Sequence, residues 1–254
     1  MSKPRPTAGE TTTLDWLMGG KLAIRQPVAG HRGGTDTLLL AAAAPERSGV
    51  LVDLGAGVGT AGLAVARRGG CAKLVLVEIQ PELAALAEEN IAQNGFSDFA
   101  SAVCADALSA TGRRKSGLNN GMADVVIANP PYLTPGRSRT SPDASRALAH
   151  SLGGGGIDSW LRAASALLHP GGVAVIIQRA DALLDLLGAC AGRFGALEIL
   201  PIYPKENEPA HRIILRGTKG SRAPMKLLPP LVVHETDGGF TARAAALHDG
   251  AELM

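Results

Sequence analysis

The chain has 254 residues, 46% of them hydrophobic, with 25 Lys and Arg against 23 Asp and Glu and a formal net charge of +2. That is enough for one large domain with short appendages, and no stretch approaches the roughly 18 uninterrupted apolar residues of a membrane span. The three cysteines, Cys71, Cys104 and Cys190, are scattered and the six histidines do not cluster, so neither a disulfide framework nor a metal site is implied.

The opening "MSKPRPTAGETTT" lacks the apolar core of a signal peptide and reads as a disordered lead-in over 1–13 of a cytoplasmic protein. Over 14–45, Gly19-Gly20 marks a turn and "KLAIRQP" a short strand. "TDTLLLAAAA" is a helix capped by Thr35 or Asp36 and stopped by Pro45.

From 46 to 218 strands and helices alternate: "GVLVDLG", "GTAGLAVARRG", "AKLVLVEI", "PELAALAEENIAQNG", "FASAVCAD", "ADVVIANPP", "GIDSWLRAASALLHPGG", "GVAVIIQ" and "ADALLDLLGACAGRFG". Pro81 in the first turn and Gly95 past the end bracket one of these helices. Helices between strands predict a doubly wound, mostly parallel α/β sheet of seven strands. The last two strands, "ALEILPIYP" and "AHRIILRG", have no helix between them and predict a hairpin with an antiparallel strand at the sheet edge. The tail, 219–254, is irregular before a short final helix. Its Leu227, Leu228, Leu231 and Val232 cover either the sheet or a second subunit, which leaves a homo-oligomer open.

"VDLGAGVGT" joins the first of these strands to its helix. Gly55, Gly57 and Gly59, with Ala56 between them, permit a tight turn and close backbone approach to a ligand, although such a turn also serves plain strand-to-helix connection. Glu78, followed by Ile79, ends the second strand, and Asp106, followed by Ala107, ends the third. Acids at successive strand ends converge on one crevice. A carboxylate at Glu78 can accept ribose hydroxyls and Asp106 an adenine amino group. Asp53, before the glycines, would repel a pyrophosphate and suits a cationic ligand, so S-adenosylmethionine fits better than a dinucleotide.

"VVIANPPYLTPG" ends a strand on Asn129, Pro130, Pro131 and Tyr132. The prolines cannot continue a ladder, so the plain reading is a turn with Tyr132 in the core. The glycine turn, Glu78, Asp106 and Asn-Pro-Pro-Tyr in this order resemble the class I S-adenosylmethionine-dependent methyltransferases. Within them the signature is similar to that of the amino-group methyltransferases, [DNS]-P-P-[YFW]. The resemblance implies a Rossmann-like methyltransferase sheet and a nitrogen acceptor. The Asn129 side-chain oxygen and the Pro130 carbonyl would accept the amine's hydrogens, and Tyr132 would stack on its ring.

"LDWLMGGKLAIRQPVAGHRGGTDTLLLAAAAP" further resembles the start of the bacterial family of tRNA adenine-N6 methyltransferases that act on a valine tRNA. That resemblance implies an opening hairpin plus helix as a small N-terminal cap over the cofactor. It places Gln26, Arg32, Gly33 and Asp36 near the methionine end of the cofactor or the mouth of the site. Their plain role is packing, and for Asp36 helix capping.

By the same resemblance the partner is tRNA, whose anticodon loop presents unpaired bases cheaply. Basic residues gather in "GRRKSG", in "PGRSRT" and from Lys205 to Lys226. Arg212 and Arg216 in that last run could track phosphates, and Arg137 and Arg139 could reach a flanking nucleotide. A protein glutamine amide or a small molecule remains the alternative acceptor. The protein-directed enzymes usually carry an extra N-terminal helical domain, and only about 45 residues precede the first strand of the main sheet here, short of the ~50 of a small domain.

Overall fold

The computed structural model describes residues 11–29, 34–46, 48–132, 156–251 and 253. A two-stranded antiparallel hairpin, β1 (Thr12–Leu17) and β2 (Leu22–Pro27), precedes helix α1 (Thr35–Ala43). The core alternates β3 (Ser48–Leu54), α2 (Thr60–Arg67), β4 (Cys71–Glu78), α3 (Pro81–Gln93), β5 (Ala100–Cys104), α4 (Ala110–Lys115) and β6 (Ala123–Ala128). It continues with α5 (Gly156–Leu167), β7 (Leu168–Arg179), a single 3-10 turn, α6 (Leu183–Cys190), β8 (Phe194–Tyr203) and β9 (Arg212–Lys219). Short strands β10 (Lys226–Leu227) and β11 (Leu231–Val232) and helix α7 (Ala242–His248) close the chain. β1 begins two residues inside the span expected to be disordered.

The main sheet runs β10-β8-β9-β7-β6-β3-β4-β5, with β11 also on β8. β3 to β7 are parallel, as helices between strands require. The expected antiparallel hairpin is β8–β9, but its antiparallel member is not at the edge. β9 inserts between β7 and β8 and pairs antiparallel with both. The reason lies in Ile213, Ile214 and Leu215, which are all buried. Three consecutive apolar residues need cover on both faces, which an interior strand provides.

Side chains alternate across this sheet. Leu51, Val125 and Val175 join the core on the side of α1, α2 and α3, whereas Val52, Val126 and Ile176 face α5 and α6. Leu231 and Val233 of the tail complete the first of these cores, and Leu227 stays 69% exposed. Cys190 is buried, as a small apolar residue would be, but Cys104 is exposed at the end of β5.

The hairpin docks on α3 through two asparagines one helical turn apart. Asn90 Oδ1 accepts the Arg25 N–H at 2.8 Å and its Nδ2 donates to the Arg25 carbonyl at 2.9 Å. Asn94 does the same for Ala23, at 3.0 and 2.7 Å. The i, i+4 rise of a helix, about 6 Å, nearly matches the i, i+2 rise of a strand. The amides therefore satisfy a strand edge that would otherwise expose its donors. No helix among the described residues is long and apolar enough to cross a membrane.

Candidate functional site

Strand order reverses at β3. From it the chain runs outward through β4 to β5, then returns to place β6 on the other side. The carboxyl ends of β3 and β6 thus flank the crevice where ligands bind in open α/β sheets. A cavity of about 540 Å³ opens there, within the roughly 300–1,000 Å³ of small-ligand pockets.

Asp53, Gly55, Ala56, Gly57, Glu78, Ile79, Asp106, Ala107, Asn129, Pro130, Pro131 and Tyr132 all line it. Gly55 and Gly57 have φ of 73° and 57°, left-handed values that disfavour a side chain. A Cβ at Gly57 would meet nothing within 4 Å, which leaves the backbone open to a ligand.

Gly59 is different. It is not a lining residue; its added Cβ would come 2.5 Å from Leu76 Cδ1, so its bareness lets α2 pack on β4.

The three acids are held in three ways. Asp53 is 2% exposed and accepts the Gly62 N–H at 2.8 Å. Burial, with the nearby Glu78 charge adding to it, pushes its carboxyl up to about 7 against the partial relief of the Gly62 bond. No basic side chain pairs with Asp53 among the described residues, so a cationic ligand would relieve it. Glu78 Oε2 accepts from Gly57 N at 2.8 Å, and its Oε1 accepts from Ile79 N and Gln80 N at 2.9 and 3.0 Å. It thereby ties the glycine turn to the end of β4. Asp106 Oδ1 accepts from Leu108 N and Ser109 N. Carboxyls for hydroxyls, an amine and a cation, set in apolar walls, fit the chemistry of S-adenosylmethionine. Among the described residues no group of His, Cys, Asp and Glu is arranged to hold a metal.

At the other end, the Tyr132 hydroxyl lies 2.9 Å from Asp36 Oδ2 and 3.0 Å from Asn129 Oδ1. Burial, then the Asp36 charge, pushes the Tyr132 phenol above its ordinary range. Arg212 donates through Nε to Asp36 Oδ2 at 2.8 Å, and its guanidinium sits 4.6 Å from the Tyr132 ring centroid. Asp36 does not itself line the cavity and makes no helix cap; it is the partner of the lining residue Tyr132 and of Arg212. Arg216 is paired with Glu198 at 2.8 Å on the neighbouring strand and does not line the cavity. Gln26 donates to Asp15 across the hairpin and also lies outside the lining. In "GRRKSG", Arg113 is 7% exposed in α4 and donates to the Ala107 carbonyl. Arg32, Gly33, Arg137 and Arg139 lie outside the described residues.

Sequence reasoning missed Thr37, Leu83, Leu108 and Trp160, which also line the cavity. Leu83 and Leu108 follow the strand-end acids by a few residues, and that position was their available signal. Trp160 sits at core spacing on α5, and no local pattern separates it from a packing residue.

The sequence matches the methyltransferase small domain family over residues 32–195. It is 30% identical to a tRNA1(Val) (adenine(37)-N6)-methyltransferase of Bacteroides fragilis, over 73% of this chain and 76% of that protein. It is 32% identical to a protein of the same name from Porphyromonas gingivalis, over 86% and 87%. A crystal structure of a predicted O-methyltransferase from Agrobacterium tumefaciens superposes with a TM-score of 0.71 at 33% identity, covering 86% of this chain and 98% of that one. The chain belongs to the methyltransferase small domain family and is a methyltransferase dependent on S-adenosylmethionine.

Proposed function

We propose that the chain methylates the exocyclic N6 of an adenine in tRNA, in the cytoplasm. The observation that carries this reading is the seating of Asn129 to Tyr132 in the same cavity as Asp53, Glu78 and Asp106. An aromatic exocyclic amine is a poor nucleophile because its lone pair is delocalised into the ring. The Asn129 carbonyl and the Pro130 backbone carbonyl can each accept one of its hydrogens. That favours a tetrahedral nitrogen with its lone pair aimed at the methyl carbon. Arg212 covers one face of the Tyr132 ring, and the adenine stacks on the other.

S-adenosylmethionine supplies a methyl group already activated by its sulfonium. The chain's residues then need only hold the acceptor in line. Asp53 would hold the cationic end. Glu78 keeps one of a carboxylate's roughly four acceptor sites for a ribose hydroxyl after its three backbone bonds. Asp106 would meet the adenine amine of the cofactor.

The acceptor in the relatives' name supports adenine N6. The Agrobacterium protein is described by an oxygen acceptor instead. Oxygen needs a base or a metal to become an alkoxide. The groups beside Asn129 are a phenol held protonated and a carboxylate committed to Arg212, and neither is suited to take that proton.

Labelled S-adenosylmethionine offered to unmodified tRNA, to a protein extract and to a metabolite extract separates the acceptor classes. The reading expects label in tRNA. Label confined to protein, or to metabolites, would overturn it.

A further inference from the structure

The Tyr132 hydroxyl carries one proton and faces two acceptors, Asp36 Oδ2 at 2.9 Å and Asn129 Oδ1 at 3.0 Å. The two are not equal. Asp36 is a carboxylate fixed by Arg212 at 2.8 Å, whereas Asn129 offers a neutral amide oxygen. Hydrogen bonds to ionised acceptors are roughly twice as strong as neutral ones. The Tyr132 hydroxyl therefore donates to Asp36.

This matters because Asn129 is the side chain assigned to the acceptor amine. A carbonyl engaged by a phenol has less to offer the substrate. With the phenol proton drawn to Asp36, the Tyr132 oxygen presents lone pairs to Asn129. Two oxygens facing each other 3.0 Å apart without a proton repel. Turning the Asn129 amide about its last torsion replaces Oδ1 by Nδ2, a donor, at nearly the same position. The amide is then anchored through its nitrogen and its oxygen is freed.

We propose that Asp36, held by Arg212, draws the Tyr132 proton away from Asn129 and so leaves the Asn129 carbonyl free to accept a hydrogen from the amine being methylated. Asp36 and Arg212 are positioning residues that act through Tyr132. The idea rests on the reading of Asn129 as the amine acceptor given above. It adds a function for α1 and for the first residue of β9: Asp36 lies 96 positions from Tyr132 in sequence, and Arg212 lies 176 positions from Asp36.

A double-mutant cycle in methyl transfer tests it. Asp36→Asn removes the charge that holds the proton, so Tyr132 then competes with the substrate for the Asn129 carbonyl. The expected result is a fall in kcat of about tenfold for one compromised hydrogen bond. Cofactor affinity, measured by calorimetry, should stay within about twofold, because the changed bond lies at the substrate end. In the Tyr132→Phe background no phenol proton remains, so the same Asp36→Asn change should cost almost nothing further. An equal loss in both backgrounds would mean that Asp36 acts only through packing or through Arg212, and the proposal would be wrong. No loss in either background would also overturn it. If Asp36→Asn does not fold, as judged by its thermal transition, Asp36→Ser serves the same cycle. Any acceptor that the wild type methylates can be used. A wild type inert toward every amine would count against the functional reading, whereas an additive cycle in an active enzyme counts against this relay alone.

Discussion

The benzo edge of Trp160 lies against Gly55, so closely that a Cβ on the glycine would come within 2.5 Å of Trp160 Cη2. Gly55 also holds φ at 73°, and a side chain there carries about 1–3 kcal/mol of strain. Gly55→Ala should therefore lower both stability and cofactor affinity. Adding Trp160→Leu should recover part of the loss by removing the collision and leave the backbone strain. Thermal transitions and calorimetry on the two variants check this. Full recovery would show that the conformation of Gly55 costs nothing.

Asn129→Ala should cut kcat by roughly 10²–10³, the usual scale for losing a preorganised transition-state partner. The dissociation constant for S-adenosylmethionine should barely move. Loss of cofactor binding instead would merge the two halves of the site that we separate.

Glu78 behaves in the opposite sense. Its carboxylate satisfies three backbone N–H groups, of Gly57, Ile79 and Gln80. Glu78→Ala leaves those donors short, at about 1–3 kcal/mol for each one that water cannot reach. We expect weaker cofactor binding first, with a melting temperature lower by several degrees, about 2–4 °C per kcal/mol at this size.

Asp53 links stability to pH. Its folded carboxyl titrates near 7 against an ordinary 3.8, so the folded protein holds that proton more tightly than the unfolded chain. The resulting stability is fully present below about pH 4 and is lost as pH rises through about 7. The ligand-free protein should melt at lower temperature as pH climbs through that window, and Asp53→Asn should flatten the slope. A bound cation would favour the ionised form, so cofactor uptake near pH 7 should release protons. Calorimetry in two buffers of different ionisation enthalpy measures that release. Zero release would place the cationic end elsewhere.

The basic run of the C-terminal region divides by partner. Arg212 and Arg216 are committed to Asp36 and Glu198, while Arg222 and Lys226 are exposed. Neutralising Arg222 and Lys226 should weaken RNA binding and shrink its salt dependence by about 0.7–0.9 log units of affinity per log unit of salt for each lost phosphate contact. Arg216→Ala should instead lower the melting temperature. A reversal of these two outcomes would move the RNA to the face of β9.

The sequence displays what is local. Glycines with an acid before them, acids at strand ends and an amide followed by two prolines each mark a strand terminus by chemistry alone. Their common crevice follows from the alternation of strands and helices. What it hides is non-local. Nothing near Asp36 announces Arg212 or Tyr132, because β9 reaches the site only by inserting between β7 and β8. Trp160 reads as core because it is core, and it lines the cavity with its ring against the bare Gly55. Gly59 fits the same turn pattern as its neighbours, yet its missing side chain makes room for Leu76.

The identity of the methylated atom separates the acceptor chemistries. Unmodified tRNA, prepared from cells lacking the gene and treated with the enzyme and labelled S-adenosylmethionine, can be digested to nucleosides and separated. Label is expected in N6-methyladenosine, entering roughly 10²–10³ times more slowly when Asn129→Ala replaces the wild type. Label in a 2′-O-methylated nucleoside, or at a ring nitrogen, would contradict it.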